Sequence, residues 1–361
     1  MALAVLIAGG GTGGHLYPGI AVARELLARV PGVEVSFVGT AAGIEARVVP
    51  REGFVLDTIR SAGLKGKSVG ARARGAALLP ASGLDAWRVL DRRRPAVVVG
   101  VGGYSSGPVV ALAAMRGIPT LLMEQNAVPG LTNRLLARLV SAAAVTYDES
   151  REAFGAKAFV AGTPVRPEFF REGLQTELRP AMGGARVLVF GGSQGAHAVN
   201  MAMVEAAPRL AAARPGLVIT HQSGEHDLAM VRERYRRTGL EARAEPFLFA
   251  MGDEMTSADL VVCRSGATTL AELTAAARPS ILVPFPGATD DHQRRNAEVL
   301  VRAGAARMIE QRDLTGDRLA AEILALVADE PARRRMAQAA ARLARRDAAR
   351  VIVDKVLELA G

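Results

Sequence analysis

Residues 9–15, Gly-Gly-Gly-Thr-Gly-Gly-His, place a bare backbone next to an imidazole. Glycine permits positive φ and removes the Cβ, so amide N–H groups can converge at the mouth of a helix. Orphan amides and the helix dipole favour an anion there, usually a phosphate. His15 adds a group that exchanges protons near neutrality. The spacing Gly9-x-Gly11-x-x-Gly14 also fits a dinucleotide fingerprint. That fingerprint requires an acidic residue about 20 positions on, at the end of the second strand, to hold a ribose diol. Here the strand ends Phe37-Val38-Gly39-Thr40, with Glu45 too far into the next segment. A second glycine run, Gly191-Gly192-Ser193-Gln194-Gly195, fails the same test, because its following strand ends at His221-Gln222-Ser223 before Glu225. A nicotinamide oxidoreductase therefore remains the lesser reading.

The run from Ala258 to Glu272 is more specific. An apolar strand ends at Cys263, small residues follow, and a helix begins near Ala267. Glu272 lies one turn beyond Thr268 on the same face and leans toward the helix N-terminus. A carboxylate there can accept both hydroxyls of a ribose while Arg264, Ser265 and loop amides take a diphosphate. The plainer alternative makes Glu272 a solvated helix charge. The next loop, Pro284–Asn296, leaves another strand at the same edge and is loaded with hydrogen-bonding side chains, including His292 and Gln293.

The elements that position these groups alternate between strand and helix. Strands are expected at 33–38, 96–101, 119–123, 142–146 and 157–161, with helices at 15–30, 107–116 and 131–139. The pattern restarts at Arg186–Phe190, with strands near 217–221, 241–245, 259–263, 280–284 and 306–309. Such alternation predicts an α/β protein with two Rossmann-like domains, parallel sheets and a cleft at their carboxyl ends. The proline- and glycine-rich stretch 162–185 is the expected hinge. Residues 313–361 read as nearly all helix, broken at Glu330-Pro331 and near Arg346-Asp347, with a last helix able to pack back on the first domain.

Composition bounds the function. A chain of 361 residues exceeds a single core, and 50% hydrophobic with 22% charged residues indicates a folded protein. One cysteine, Cys263, excludes a disulfide framework. No basic leader and no run of about 18 apolar residues argue against a signal peptide or a spanning helix. The net charge of +9 comes almost wholly from arginine, spread along helices. That pattern suits solvated faces, an anionic membrane surface or a diphosphate ligand better than a nucleic-acid stripe, so no nucleic acid is expected.

Five motifs, in order, resemble the MurG family of peptidoglycan N-acetylglucosaminyltransferases, enzymes of the GT-B architecture. They are GGGTGGHLYPG at 9–19, GGYSSGP at 102–108, EQNAVPGLTN at 124–133, GGSQGA at 191–196, and the pair CRSGATTLAE at 263–272 with TDDHQRRN at 289–296. The resemblance implies an inverting transfer of GlcNAc from UDP-GlcNAc to the C4 hydroxyl of MurNAc-pentapeptide in lipid I, a polyprenyl-diphosphate acceptor, giving lipid II. It implies no cofactor, no protein-bound metal, and peripheral attachment at the cytoplasmic face of the bacterial cell membrane. Residues 1–163, with helix 346–361, would bind acceptor and membrane, and residues 164–345 would bind the donor.

Carried over position by position, Glu272 would take the ribose hydroxyls, with Thr268 and Gly266 beside it. Ser193, Gln194, Gly195, Arg264 and Ser265 would contact the diphosphate, with Arg166 assisting. The Leu248 backbone would read the uracil edge with Met251 nearby, although both could equally be core. His292 and Gln293 would contact GlcNAc. Thr12, Gly13, Gly14 and Asn126 are also implied on the donor side, and Gly10, Gly11, Gly103, Tyr104, Gln125 and Asn133 on the acceptor side. His15 is the candidate base, Glu124 the alternative, and a plain loop anchor is the other reading of His15. Two positions depart from the family: Met123 stands where His commonly precedes Glu-Gln-Asn, and Thr163 where the hinge often has Asn. Anionic inner-leaflet lipids are an expected partner, because residues 64–90 mix Leu64, Leu78, Leu79, Leu84 and Trp87 with Lys65, Lys67, Arg72, Arg74 and Arg88. Pro80 and Gly83 are expected to interrupt any long helix there.

Overall fold

The computed structural model describes residues 2–61, 78–170, 184–192 and 194–361. The chain forms two compact units, Met1–Arg166 with Arg345–Gly361, and Pro167–Ala344.

The first unit is built on a seven-stranded sheet in the order β3-β2-β1-β4-β5-β6-β7, with every recorded pairing parallel. Its strands are β1 (Ala4–Gly9), β2 (Glu34–Gly39), β3 (Val55–Thr58), β4 (Val97–Gly102), β5 (Thr120–Glu124), β6 (Ala142–Val145) and β7 (Ala158–Val160). β4 reads VVVGVG and is buried throughout, as expected of a central strand covered on both faces. Helices α1 (Gly13–Arg29), α2 (Glu45–Arg51), α3 (Leu79–Arg93), α4 (Ser106–Met115) and α5 (Leu131–Leu136) follow the first five strands in turn or connect them. Two apolar layers fill the faces, one around Ile7, Phe37 and Val99, the other around Leu6, Val98 and Leu122.

The second unit repeats the plan with six strands in the order β10-β9-β8-β11-β12-β13. These are β8 (Arg186–Phe190), β9 (Val218–Gln222), β10 (Glu241–Glu245), β11 (Leu260–Cys263), β12 (Ser280–Leu282) and β13 (Ala306–Met308). Its helices are α6 (His197–Ala213), α7 (Leu228–Thr238), α8 (Met251–Ser257), α9 (Ala267–Ala275), α10 (His292–Arg302), α11 (Gly316–Ala328) and α12 (Glu330–Leu343). The last helix, α13 (Ala348–Ala360), belongs to the first unit: it packs on α1 and sends Ile352, Val353 and Val356 into that core.

In each sheet the strand order reverses beside the first strand, between β1 and β4 and between β8 and β11. Ligands of open α/β sheets bind outside the carboxyl ends at such switch points. The glycine runs after β1 and β8, and the loops after β4 and β11, lie at those points.

Two local expectations change. β3 was not anticipated. The interruption expected at Gly83 does not occur, since Gly83 lies inside α3, while Pro80 sits in the first turn of that helix, where its missing N–H has no helical partner to lose. Leu64, Lys65, Lys67, Arg72 and Arg74 fall outside the described residues.

Candidate active site

In the first unit the two switch-point loops press backbone against backbone. A Cβ on Gly9 would stand 2.4 Å from the Gly102 carbonyl oxygen, and one on Gly103 2.4 Å from that of Gly10. The Gly10 amide donates to the Gly102 carbonyl at 3.3 Å. Gly103 at φ +82° combines this approach with a backbone that other residues rarely adopt. The glycines are thus required by loop-to-loop contact as well as by any ligand.

A carboxylate closes the loop from beneath. Glu45, 1% exposed, accepts the Gly11 amide at 2.8 Å and the Thr40 amide and hydroxyl at 2.8 and 2.9 Å. Burial opposes its charge, but those amides, its own amide and the Thr40 hydroxyl together outweigh burial and hold its pKa below the usual value. Sequence reasoning set Glu45 aside as too distant; the turn after β2 folds it back under the loop. Gly11 therefore does not present its amide to a ligand, contrary to its expected place in an acceptor cradle.

His15, partly exposed in the first turn of α1, has its Nδ1 3.1 Å from the Thr12 hydroxyl. Its ring lies over Gly102, where a Cβ would come 2.7 Å from ring Cδ2 and 3.1 Å from Nε2. Tyr104 is exposed, with its ring beside Gly11. The Arg166 guanidinium sits 5.2 Å from the Tyr17 ring centre, within the first unit.

Glu124, at the end of β5, is 2% exposed. Its carboxylate accepts four N–H groups, from the Asn126 amide and side chain at 2.9 and 3.1 Å, the Gly130 amide at 3.0 Å and Asn133 Nδ2 at 2.9 Å. Burial pushes its pKa up, against the pull of those donors. Gln125 and Asn133 do not line a pocket: both are buried and bonded inward, to the carbonyls of Val101 at 3.1 Å and Met123 at 3.2 Å. The Glu124–Asn133 block is a self-bonded turn, from which Asn126 is the more accessible member.

The second unit uses the same device. A Cβ on Gly195 would lie 2.0 Å from the Ser223 carbonyl oxygen, and one on Gly224 2.3 Å from that of Gln194. Ser193 lies outside the described residues. Gln222 bridges two expected donor segments, donating to the Gly192 carbonyl at 2.8 Å and accepting the Leu248 amide at 2.8 Å. Leu248 is buried, and Met251 opens α8 partly exposed. Below them runs a buried polar chain: Tyr235 Oη to His221 Nδ1 at 2.8 Å, His221 Nε2 to Asn200 Oδ1 at 3.0 Å, and Asn200 Nδ2 to the Ser223 carbonyl and to Asp227 at 2.8 Å each. Burial lowers the His221 pKa to about 4. Neither Gln222 nor this chain was anticipated.

After β11, Arg264 is not held out toward a diphosphate. Its guanidinium donates to the carbonyls of Val283 and Pro284 at 3.1 Å each and to Gln311 at 2.7 Å, and burial lowers its pKa. Ser265 is fully buried and donates to the Gln293 carbonyl at 2.8 Å, while Gln293 Oε1 accepts the Phe285 amide at 3.0 Å. The His292 ring bonds the Thr289 carbonyl. Gly266 caps α9, on which Thr268 and Glu272 stand one turn apart, both partly exposed. Glu272 is close enough to Cys263 that its charge, after burial, helps raise that thiol's pKa. Among the described residues, no group of three or more His, Cys, Asp and Glu side chains is placed to hold a metal ion.

Comparison with known proteins follows this division. The model of the glycosyltransferase family 28 N-terminal domain matches residues 5–145, and that of the family's C-terminal domain residues 186–352. A protein of Anaeromyxobacter sp. (strain K), named UDP-N-acetylglucosamine–N-acetylmuramyl-(pentapeptide) pyrophosphoryl-undecaprenol N-acetylglucosamine transferase, is 52% identical over 359 residues, covering 98% of this chain and 92% of that one. A relative of the same name from Pelobacter propionicus is 48% identical, covering 98% of both. Among solved structures, MurG of Acinetobacter baumannii matches with a TM-score of 0.81 at 29% identity over 99% of each chain. A UDP-GlcNAc 2-epimerase from Neisseria meningitidis matches at 0.70 with 12% identity over 99% of this chain and 100% of that one, a likeness of fold alone.

Proposed function

Since this chain belongs to glycosyltransferase family 28, within the group of MurG N-acetylglucosaminyltransferases, we infer that it moves GlcNAc from UDP-GlcNAc to the C4 hydroxyl of MurNAc-pentapeptide in lipid I. The product is lipid II, with inversion at the anomeric carbon. The observation that carries this reading is 52% and 48% identity to two transferases of that name, each over 98% of this chain.

In this reading the first unit takes the lipid-linked acceptor and the second takes UDP-GlcNAc. The acceptor C4 oxygen attacks the anomeric carbon of GlcNAc, the C1–O4 bond forms, and the bond from C1 to the β-phosphate oxygen breaks as UDP leaves with its electron pair. His15 receives the C4 hydroxyl proton at Nε2, in the tautomer whose Nδ1–H donates to the Thr12 hydroxyl. Glu124 is less suited, because protonation would place a hydroxyl among N–H donors. Ser193, Gln194, Gly195 and the amides opening α6 and α9 stabilise the diphosphate. Glu272 and Thr268 hold the ribose, the Leu248 backbone and Met251 the uracil, and His292 and Gln293 the sugar. Arg264 acts by fixing the 283–284 turn rather than by touching phosphate.

The protein works on the membrane periphery, at the cytoplasmic face. No helix among the described residues is long and apolar enough to cross a bilayer. On α3 and α4, Leu79, Leu84, Trp87 and Met115 are exposed beside Arg88 and Arg116, the latter stacked 4.5 Å from the Trp87 ring centre. Leu131, Leu135 and Leu139 are exposed at helical spacing on and after the neighbouring α5. An apolar surface rimmed by arginine suits an anionic leaflet, which is also where a polyprenyl-linked acceptor resides. Incubation with UDP-GlcNAc and a lipid I analogue should release one UDP per disaccharide formed; UDP-GlcNAc turnover that ignores the acceptor would favour epimerase chemistry instead.

A further inference from the structure

Glu45 is a buried carboxylate without a part in the chemistry above. Among the described residues its partners are N–H and O–H donors, and none of them is a cation. Retaining an uncompensated charge inside a protein costs several kcal/mol unless its hydrogen bonds are well made. The surroundings are cut to fit it. A Cβ on Gly10 would lie 2.5 Å from its carboxyl carbon, on Gly39 2.5 Å from its Cγ, and on Gly43 2.2 Å from Oε2. Three glycines, one in the β1 loop, one ending β2 and one in the turn after it, therefore make room for one carboxylate. That carboxylate fixes two segments, since Oε2 holds Gly11 of the β1 loop and Oε1 holds Thr40 of the β2 turn. One residue beyond Gly11 is Thr12, whose hydroxyl meets His15 Nδ1.

We propose that Glu45 is a positioning residue for the transfer reaction: it clamps the glycine loop so that Thr12 and His15 are presented in a fixed geometry to the acceptor hydroxyl. The proposal rests on the reading of His15 as the base. A carboxylate is needed because both oxygens must accept. Glutamine would turn an NH2 group toward an N–H donor, and aspartate is one methylene short of reaching both loops.

The test separates positioning from general stability by dividing the kinetics between the two units. In Glu45→Gln, kcat should fall by about 10²-fold, the scale of a misplacement near 1 Å. The KM for UDP-GlcNAc should stay within about twofold, and its binding stoichiometry by calorimetry should match the wild type. Gly43→Ala, at a residue outside the left-handed region and outside the glycine loop, should push the same carboxylate aside and lower kcat in the same way. The double variant should lose little beyond the worse single one, since both disturb one contact. If Glu45→Gln does not fold, Gly43→Ala decides alone. Wild-type-like kcat in the folded variants, or a parallel loss of UDP-GlcNAc stoichiometry, would overturn the proposal. A wild-type protein without turnover would instead sink the transferase reading itself.

Discussion

Acid should loosen the second unit through one histidine. His221 is fully buried between Tyr235 and Asn200, and burial lowers its pKa from 6.5 to about 4. The folded unit keeps the imidazole neutral, whereas an unfolded chain takes up its proton near the ordinary histidine value of 6.5. This contribution to stability is therefore complete above pH 6.5 and is lost as the pH falls toward 4. Two and a half pKa units amount to about 3 kcal/mol in full, and about 2 kcal/mol is already gone at pH 5. That is a large share of a stability of about 5–15 kcal/mol. Asp227 does not contribute at pH 5: burial raises its pKa, but His226, Asn200 and His197 more than offset this and hold it at about 2. Hydrogen exchange of β8 and β9 peptides along urea titrations at about pH 7.5 and pH 5 reads this directly. The wild type should lose about 2 kcal/mol more than His221→Gln over that interval. Equal losses in both proteins would refute the argument that a neutral buried imidazole sets the acid limit.

Four substitutions test the site and the membrane-facing surface. His15→Ala should lower kcat by about 10²–10⁴-fold with UDP-GlcNAc affinity kept, whereas Glu124→Gln should mainly cost stability, about 2–6 kcal/mol for two orphaned N–H donors; a stable, inactive Glu124→Gln beside an active His15→Ala would reverse the assignment. Glu272→Ala should raise the donor KM at least tenfold, as expected for losing a charged hydrogen-bond partner of a diol, and an unchanged KM would remove it from the ribose site. Trp87→Ser should reduce flotation of the protein with vesicles containing anionic lipid while leaving UDP binding intact; undiminished flotation would move the membrane contact elsewhere.

Buried parallel strands are legible because they must be apolar on both faces, which is why β4 and β11 stand out in the sequence. β3 is not, since a four-residue edge strand with half its positions exposed has no distinctive pattern. The helix at 79–93 was obscured because proline breaks a helix interior but suits a first turn, and only the boundary tells which applies. The glycine loops were legible, but the cause of their glycines was not. Gly9 meets Gly102, and Gly195 meets Ser223, across sequence gaps that spacing rules do not span. The same limit hid Glu45 and Gln222, whose roles depend on which loop folds back. Arg264 and Gln125 were expected to contact ligand from the family resemblance and, for Arg264, from its place after an apolar strand, yet both donate to backbone carbonyls, Arg264 to those of the 283–284 turn and Gln125 to that of Val101 in β4.

The central claim is a specific bond made by a specific displacement. NMR of the product formed from UDP-[1-13C]GlcNAc and a lipid I analogue reads it at once. The account predicts a single labelled β-anomeric carbon joined to C4 of MurNAc, with UDP released in equal amount. A labelled carbon of retained α configuration, attachment at another hydroxyl, or label appearing only in free amino sugar would contradict it.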